Sequence, residues 1–193
     1  MNWIRRLFAG EATAEKPLEP PVQSAIQLVE HLAPTGEYKF KRPSGWVRVQ
    51  PSMNLGCPVI IYAASPKPSF TAYQAGQVVP IFSPAVTMIE YPRGVTAGQS
   101  LSQVFSLFQG VFPSMYAGFN VRSHNTKTLA SGQEVVELEF VFTTGGTPMT
   151  AHAAMLLTDE KVLWLDGSCR SVEFPKHADM IRAVANSIET SRA

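Results

Sequence analysis

From Val135 to Phe142 the side chains alternate: Val136, Leu138, Phe140 and Phe142 fall on one side, Glu137 and Glu139 on the other. A period of two predicts a strand with one dry face and one wet face. Gly145-Gly146 then supplies the positive-φ residues of a hairpin turn. Thr150 to Leu157 pairs back, Asp159-Glu-Lys161 turns again, and Val162 to Leu165 follows. This stretch therefore predicts an antiparallel meander. Its apolar face can be stable only if other elements cover it.

Two helical stripes supply that cover. Leu101, Val104, Phe105 and Phe108 recur at helical spacing and stop before Pro113, with Thr96-Ala-Gly-Gln99 in front of them in the form of a capping box. Pro175 opens a last helix whose stripe, Ala178, Ile181, Val184 and Ile188, runs almost to the chain end. Toward the N-terminus, Val22, Ile26, Val29 and His31-Leu32 predict a further helix over Val22 to Ala33, closed by Pro34-Thr-Gly36. Strands are expected at Tyr38–Phe40, Trp46–Val49, Val59–Ala64 and Ala85–Tyr91, with a turn at Pro43-Ser-Gly45 and a loop at Ser65–Ser69. The order of elements is that of an α+β protein.

The first 21 residues stand apart. Trp3, Ile4, Leu7 and Phe8 form a short amphipathic head, and Glu11 to Pro21 is a Pro/Glu/Ala linker; residues 22–193 are read as one domain. One or two helical turns do not persist alone in water, so the head either frays or docks, on a protein or on a membrane surface. Arg5 and Arg6 interrupt its apolar run, which excludes a secretory signal and points to the cytoplasm.

Charge narrows the partner class. Charged residues are only 16% of the 193, and the formal net charge is +1, so no strong field attracts nucleic acid. A surface this poor in charge suits a protein partner. Lys39, Lys41, Arg42 and Arg48 cluster around the opening strand, either as cations guarding a solvated edge or as a strip for an acidic partner. Trp3, Ile4, Leu7, Phe8, Arg42 and Arg48 are thus the candidate contact residues.

Catalytic signatures are missing from the sequence: no nucleophile elbow, phosphate loop, zinc-protease motif or paired-cysteine motif occurs. Neither a cofactor nor a metal is expected. Asp166 and Glu173 flank Gly167-Ser-Cys169, a polar turn that offers too few oxygens for calcium. Cys169 with His152 is the one conceivable thiolate pair, and a buried cysteine beside an unrelated histidine is the simpler account. Cys57 and Cys169 are read as free thiols or as a single disulfide. Trp46 and Trp164 are assigned to the core.

Four stretches carry a family resemblance. Tyr38-Lys-Phe-Lys-Arg-Pro-Ser-Gly-Trp46, Phe112-Pro-Ser-Met-Tyr-Ala-Gly-Phe119, Gly132-Gln-Glu-Val-Val-Glu-Leu-Glu-Phe140 and Phe174 to Ser191 occur in the order and spacing of the Mog/PsbP-like family. That family includes PsbP photosystem proteins, DcrB-like bacterial proteins and type VI secretion Eag chaperones. The resemblance covers about residues 35–191. It implies an antiparallel sheet sandwiched between helices and a non-catalytic accessory or chaperone role. The alternative is a small-molecule or lipid-binding protein, with an apolar pocket between sheet and helix lined by Phe105, Phe108, Phe140 and Phe142.

Overall fold

The computed structural model describes residues 27–50, 56–66, 69–74, 77–129 and 131–190. The head and linker, including Trp3, Ile4, Leu7 and Phe8, lie outside the described residues. Its frame is a seven-stranded sheet, with β1 (Leu28–Leu32), β2 (Tyr38–Pro43) and β12 (Glu189–Thr190) forming a smaller one. The large sheet runs in the order β3 (Val47–Val49), β4 (Val59–Ala63), β7 (Ala85–Pro92), β11 (Lys161–Arg170), β10 (Thr147–Leu157), β9 (Glu134–Thr144) and β8 (Asn120–Thr128). Strands β5 (Ser69–Gln74) and β6 (Gln77–Phe82) form a separate hairpin. Every pairing among the described residues is antiparallel.

Helix α1 (Leu101–Met115) covers one face of the large sheet. Its Leu101, Val104, Phe105 and Phe112 bury against Val136, Leu138, Phe140, Met155 and Trp164. Helix α2 (Phe174–Ala185) and the small sheet cover the other face, where Tyr38, Phe40, Val184 and Ile188 meet Val135, Leu163 and Leu165. The expected α+β sandwich is therefore present, with one helix on each face. Neither helix is long and apolar enough to cross a membrane.

Several local expectations are corrected. Leu28–Leu32 is a strand where a helix over Val22–Ala33 was predicted, because all five residues pair with β2. Pro34-Thr-Gly36 closes that hairpin instead of capping a helix, and Gly36 takes the positive φ of 73° that its turn requires. The capping box of α1 is Ser100 with Gln103: Gln103 N–H donates to Ser100 Oγ at 3.3 Å and Ser100 N–H to Gln103 Oε1 at 2.9 Å. Thr96 belongs to a 3-10 turn ahead of it. Pro113 lies inside α1, in its last turn on the solvent side, so the missing N–H costs one bond and does not end the helix. Helix α2 stops at Ala185, and the chain returns as β12 to pair with β2. The β5–β6 hairpin follows the loop expected at Ser65–Ser69, with Ser69 already its first strand residue.

Strand β9 has no wet face where α2 stands over the sheet. Glu137 is buried and Glu139 half-buried, the latter bonded to Arg182 of α2 at 3.0 Å. Lys127 of β8 lies 2.6 Å from Glu137. The polar side of the alternation is thus a row of ion pairs under a helix.

Phe140→Ala should cost about 3–5 kcal/mol and Glu139→Ala about 1 kcal/mol, measured by urea unfolding. A second substitution probes the helix above the sheet. A Cβ at Gly167 would stand 2.8 Å from Ile181 Cγ2, so Gly167→Ala should push α2 outward and cost about 1–3 kcal/mol. A neutral Gly167→Ala would mean that α2 does not rest on β11.

Candidate functional site

Three turns and one strand end converge at one edge of the sandwich. Pro34 and Thr35 come from the β1–β2 turn, Gly56, Cys57 and Pro58 from the entry to β4, Glu90 and Pro92 from the end of β7, and Glu160 and Lys161 from the β10–β11 turn. Together they line an open pocket of about 570 Å³. Antiparallel pairing fixes the geometry, since Lys161 stands opposite Pro92 and Leu163 opposite Glu90, while Glu90 N–H donates to Pro58 O at 3.0 Å.

Lys161 organises the pocket floor. Its ammonium donates to Glu37 Oε2 and lies 2.9 Å from Glu90 Oε2. Tyr38 donates its hydroxyl to the other oxygen of Glu90 at 2.7 Å, and Thr35 donates to Glu37 at 3.1 Å. These contacts lock the protonation states. The bonds to Glu37 and Glu90 raise the pKa of Lys161, and the same bond to Lys161 lowers that of Glu37. Burial, with the hydrogen bond to Glu90, pushes the Tyr38 phenol up. Burial, with the Glu90 charge, pushes the Cys57 thiol up. Near neutrality Lys161 therefore stays cationic and Glu37 ionised, while Tyr38 and Cys57 keep their protons. The arrangement can hold a ligand by shape and charge.

Of the contact residues singled out in the sequence, Arg42 and Arg48 are described and do not line this pocket. The Arg42 guanidinium stacks over the Tyr62 ring at 4.5 Å and donates to Trp46 O at 3.3 Å. Arg48 is exposed on the edge strand β3. Both lie close enough to His31 to help burial lower its pKa, so the fold does bring them into one region. Lys39 is neutralised by Glu30 and Glu189, which leaves only part of the expected basic strip free.

Cys169 and His152 share a sheet face on neighbouring strands, but burial raises the thiol to about 11 and both ring nitrogens of His152 lack a hydrogen-bond partner. They form no thiolate pair. The supposed polar turn Gly167-Ser-Cys169 is strand β11, where Asp166 is buried and Glu173 bonds to Arg170 at 2.6 Å. Among the described residues no cluster of metal-ligating side chains occurs, and both cysteines are free. Trp164 is in the core; Trp46 is partly buried against it. The rings of Phe108, Phe140 and Phe142 pack through Phe112, Tyr116 and Phe119 into a continuous cluster, with centroids 5.0–5.7 Å apart at Tyr116–Phe142, Phe119–Phe140 and Phe140–Phe142, and Phe105 packs against the His124 ring at 5.4 Å.

The sequence reading missed this pocket. Glu37, Glu90 and Lys161 are far apart in the chain, and no local motif joins them. The only trace is a proline at three of the strand ends, Pro34, Pro58 and Pro92.

Solved structures share the architecture. The solution structure of a cyanobacterial PsbP (CyanoP) from Synechocystis is 16% identical, covers 91% of this chain and 100% of its own, and superposes with a TM-score of 0.58. A putative regulator of unknown function from Pseudomonas aeruginosa is 10% identical over 86% of this chain and 99% of its own, at 0.55. The Ran-binding protein Mog1p of Saccharomyces cerevisiae is 8% identical over 86% and 96%, at 0.54. No family model and no curated protein matches the sequence.

Asp166 provides a pH test of the core on the α1 face. Burial raises its pKa to about 7, and the 2.8 Å bond it accepts from Trp164 Nε1–H only partly opposes this. Between the ordinary carboxylate range and pH 7 the native state keeps a proton that the unfolded chain has lost, so stability falls as pH rises through that window. Asp166→Asn keeps an acceptor for Trp164 and removes the titration. Its stability relative to wild type should grow from about pH 4 to about pH 7 and stay level above. Parallel unfolding curves at every pH would show that Asp166 is ionised in the fold.

Proposed function

We propose that this chain, which has the Mog/PsbP-like fold, is a non-catalytic accessory or chaperone module that docks a partner protein at the Thr35–Cys57–Glu90–Lys161 pocket. One observation carries the reading: the pocket is open and walled by prolines, and Lys161, Glu37, Glu90 and Tyr38 beside it hold one another in fixed positions. Such a site offers a shaped, charged surface. The Ran-binding description of the similar yeast protein supports a protein partner as a class, and at 8% identity it carries no particular one.

Two further features belong to this proposal. Arg48, exposed at the sheet edge, and the head residues Trp3, Ile4, Leu7 and Phe8 are further contacts, with protein as the leading target of the head and a membrane surface as the alternative. The free thiols Cys57 and Cys169 fit a reducing compartment, the cytoplasm. No observation favours the lipid-binding reading, because the four phenylalanines it needs are packed against neighbouring rings.

Site-specific photo-cross-linking in the native cell tests the proposal. A photoreactive residue replacing Thr35 or Glu160, at the rim, should give discrete higher-mass protein adducts. One replacing Ser114, exposed at the end of α1, should not. Absence of adducts at both rim positions overturns the pocket as the docking site.

A further inference from the structure

The chemistry of this pocket selects the group it takes. We propose that it receives a lysine or arginine side chain of the partner, an inference that rests on the protein-docking reading above. Hydrogen-bonding capacity comes first. Pro34, Pro58 and Pro92 have no backbone N–H, so three of the wall residues contribute no main-chain donor. The one strong donor on the floor, the Lys161 ammonium, is held by Glu37 and Glu90. Acceptors are in surplus. Ammonium and guanidinium groups only donate, and they carry the positive charge that a neutral donor such as an indole N–H lacks.

Charge points the same way. Of the lining residues Glu90 and Glu160 are acidic and Lys161 basic, and Lys161 also holds Glu37, a surplus of two negative charges (three against one) in this set. Arg93 is turned away onto backbone, donating to Thr158 O at 3.1 Å, Thr96 O at 3.0 Å and Gln99 O at 2.7 Å. Glu160 is exposed at the rim. Walls of proline and the Cys57 thiol suit a methylene stem, and the carboxylates suit the charged head that such a stem carries.

NMR titration of the labelled full-length chain tests this with four probes: the N-acetyl methylamides of lysine, norleucine and glutamate, and the free diamine cadaverine. The lysine amide should shift the Thr35, Cys57, Glu90 and Lys161 amides saturably, and bind at least about fivefold tighter than norleucine, which has the stem without the charge. Glu160→Lys should weaken it by about the same factor without lowering the melting temperature, and added salt should weaken it too. Equal binding of norleucine, or preference for glutamate, overturns the basic side chain as occupant. If rim cross-links persist in that case, the docking site itself stands. Cadaverine binding more tightly than the lysine amide, with no protein cross-link at Thr35, makes this a small-amine site and overturns both readings. Shifts scattered away from the pocket, or none with any probe, overturn the inference.

Discussion

Strand β11 is covered on both faces, and the rest of the molecule is arranged around that burial. Val162, Trp164 and Asp166 face α1, while Leu163, Leu165, Gly167 and Cys169 face α2 and the small sheet. A strand with no exposed face must satisfy its whole backbone through its neighbours, and β7 and β10 do so along nearly its full length. Gly167 makes the second cover possible, because Ile181 of α2 occupies the space that any side chain would need. The cost appears at Asp166, a carboxyl held among apolar side chains with one indole N–H as its donor.

The pocket follows from how that strand ends. β11 begins at Lys161, just where its cover gives way to turns, so the first side chain out of the core is a cation with solvent on one side. Glu90 from β7 and Glu37 from the β1–β2 turn gather on it, joining both layers at their open edge. Exposed ion pairs are worth little for stability, and Glu37 is among the more exposed members. Their larger effect is to fix the direction of the charges at the pocket mouth, where a partner meets them.

A second surface shows the same economy of charge. Helix α1 carries no acidic or basic residue in its fifteen positions, and Leu107 and Val111 are exposed on it. The polar groups outside are serines and glutamines, which solvate the helix without creating a field. Charge is concentrated elsewhere, in the turn cluster around Lys161, the arginines near His31 and the ion pairs of β8, β9 and α2.

Sequence by itself determined the elements whose signal is local. The alternation of Val136, Leu138 and Phe140, the Gly145-Gly146 hairpin and the stripes of α1 and α2 each depend on residues a few positions apart, and each was legible. Tertiary structure decided the rest. Leu28–Leu32 satisfies helical spacing as well as strand alternation, and only the partner strand β2 selects between them. Glu139 looks solvated until α2 brings Arg182 to it. The pocket was invisible for the same reason: Glu37, Glu90 and Lys161 share no segment, and what joins them is the register of β7 with β11 and the hairpin folded over it. Local patterns record which face of an element is apolar; pairing between distant strands sets which charges meet, because register is fixed only when both strands are in place.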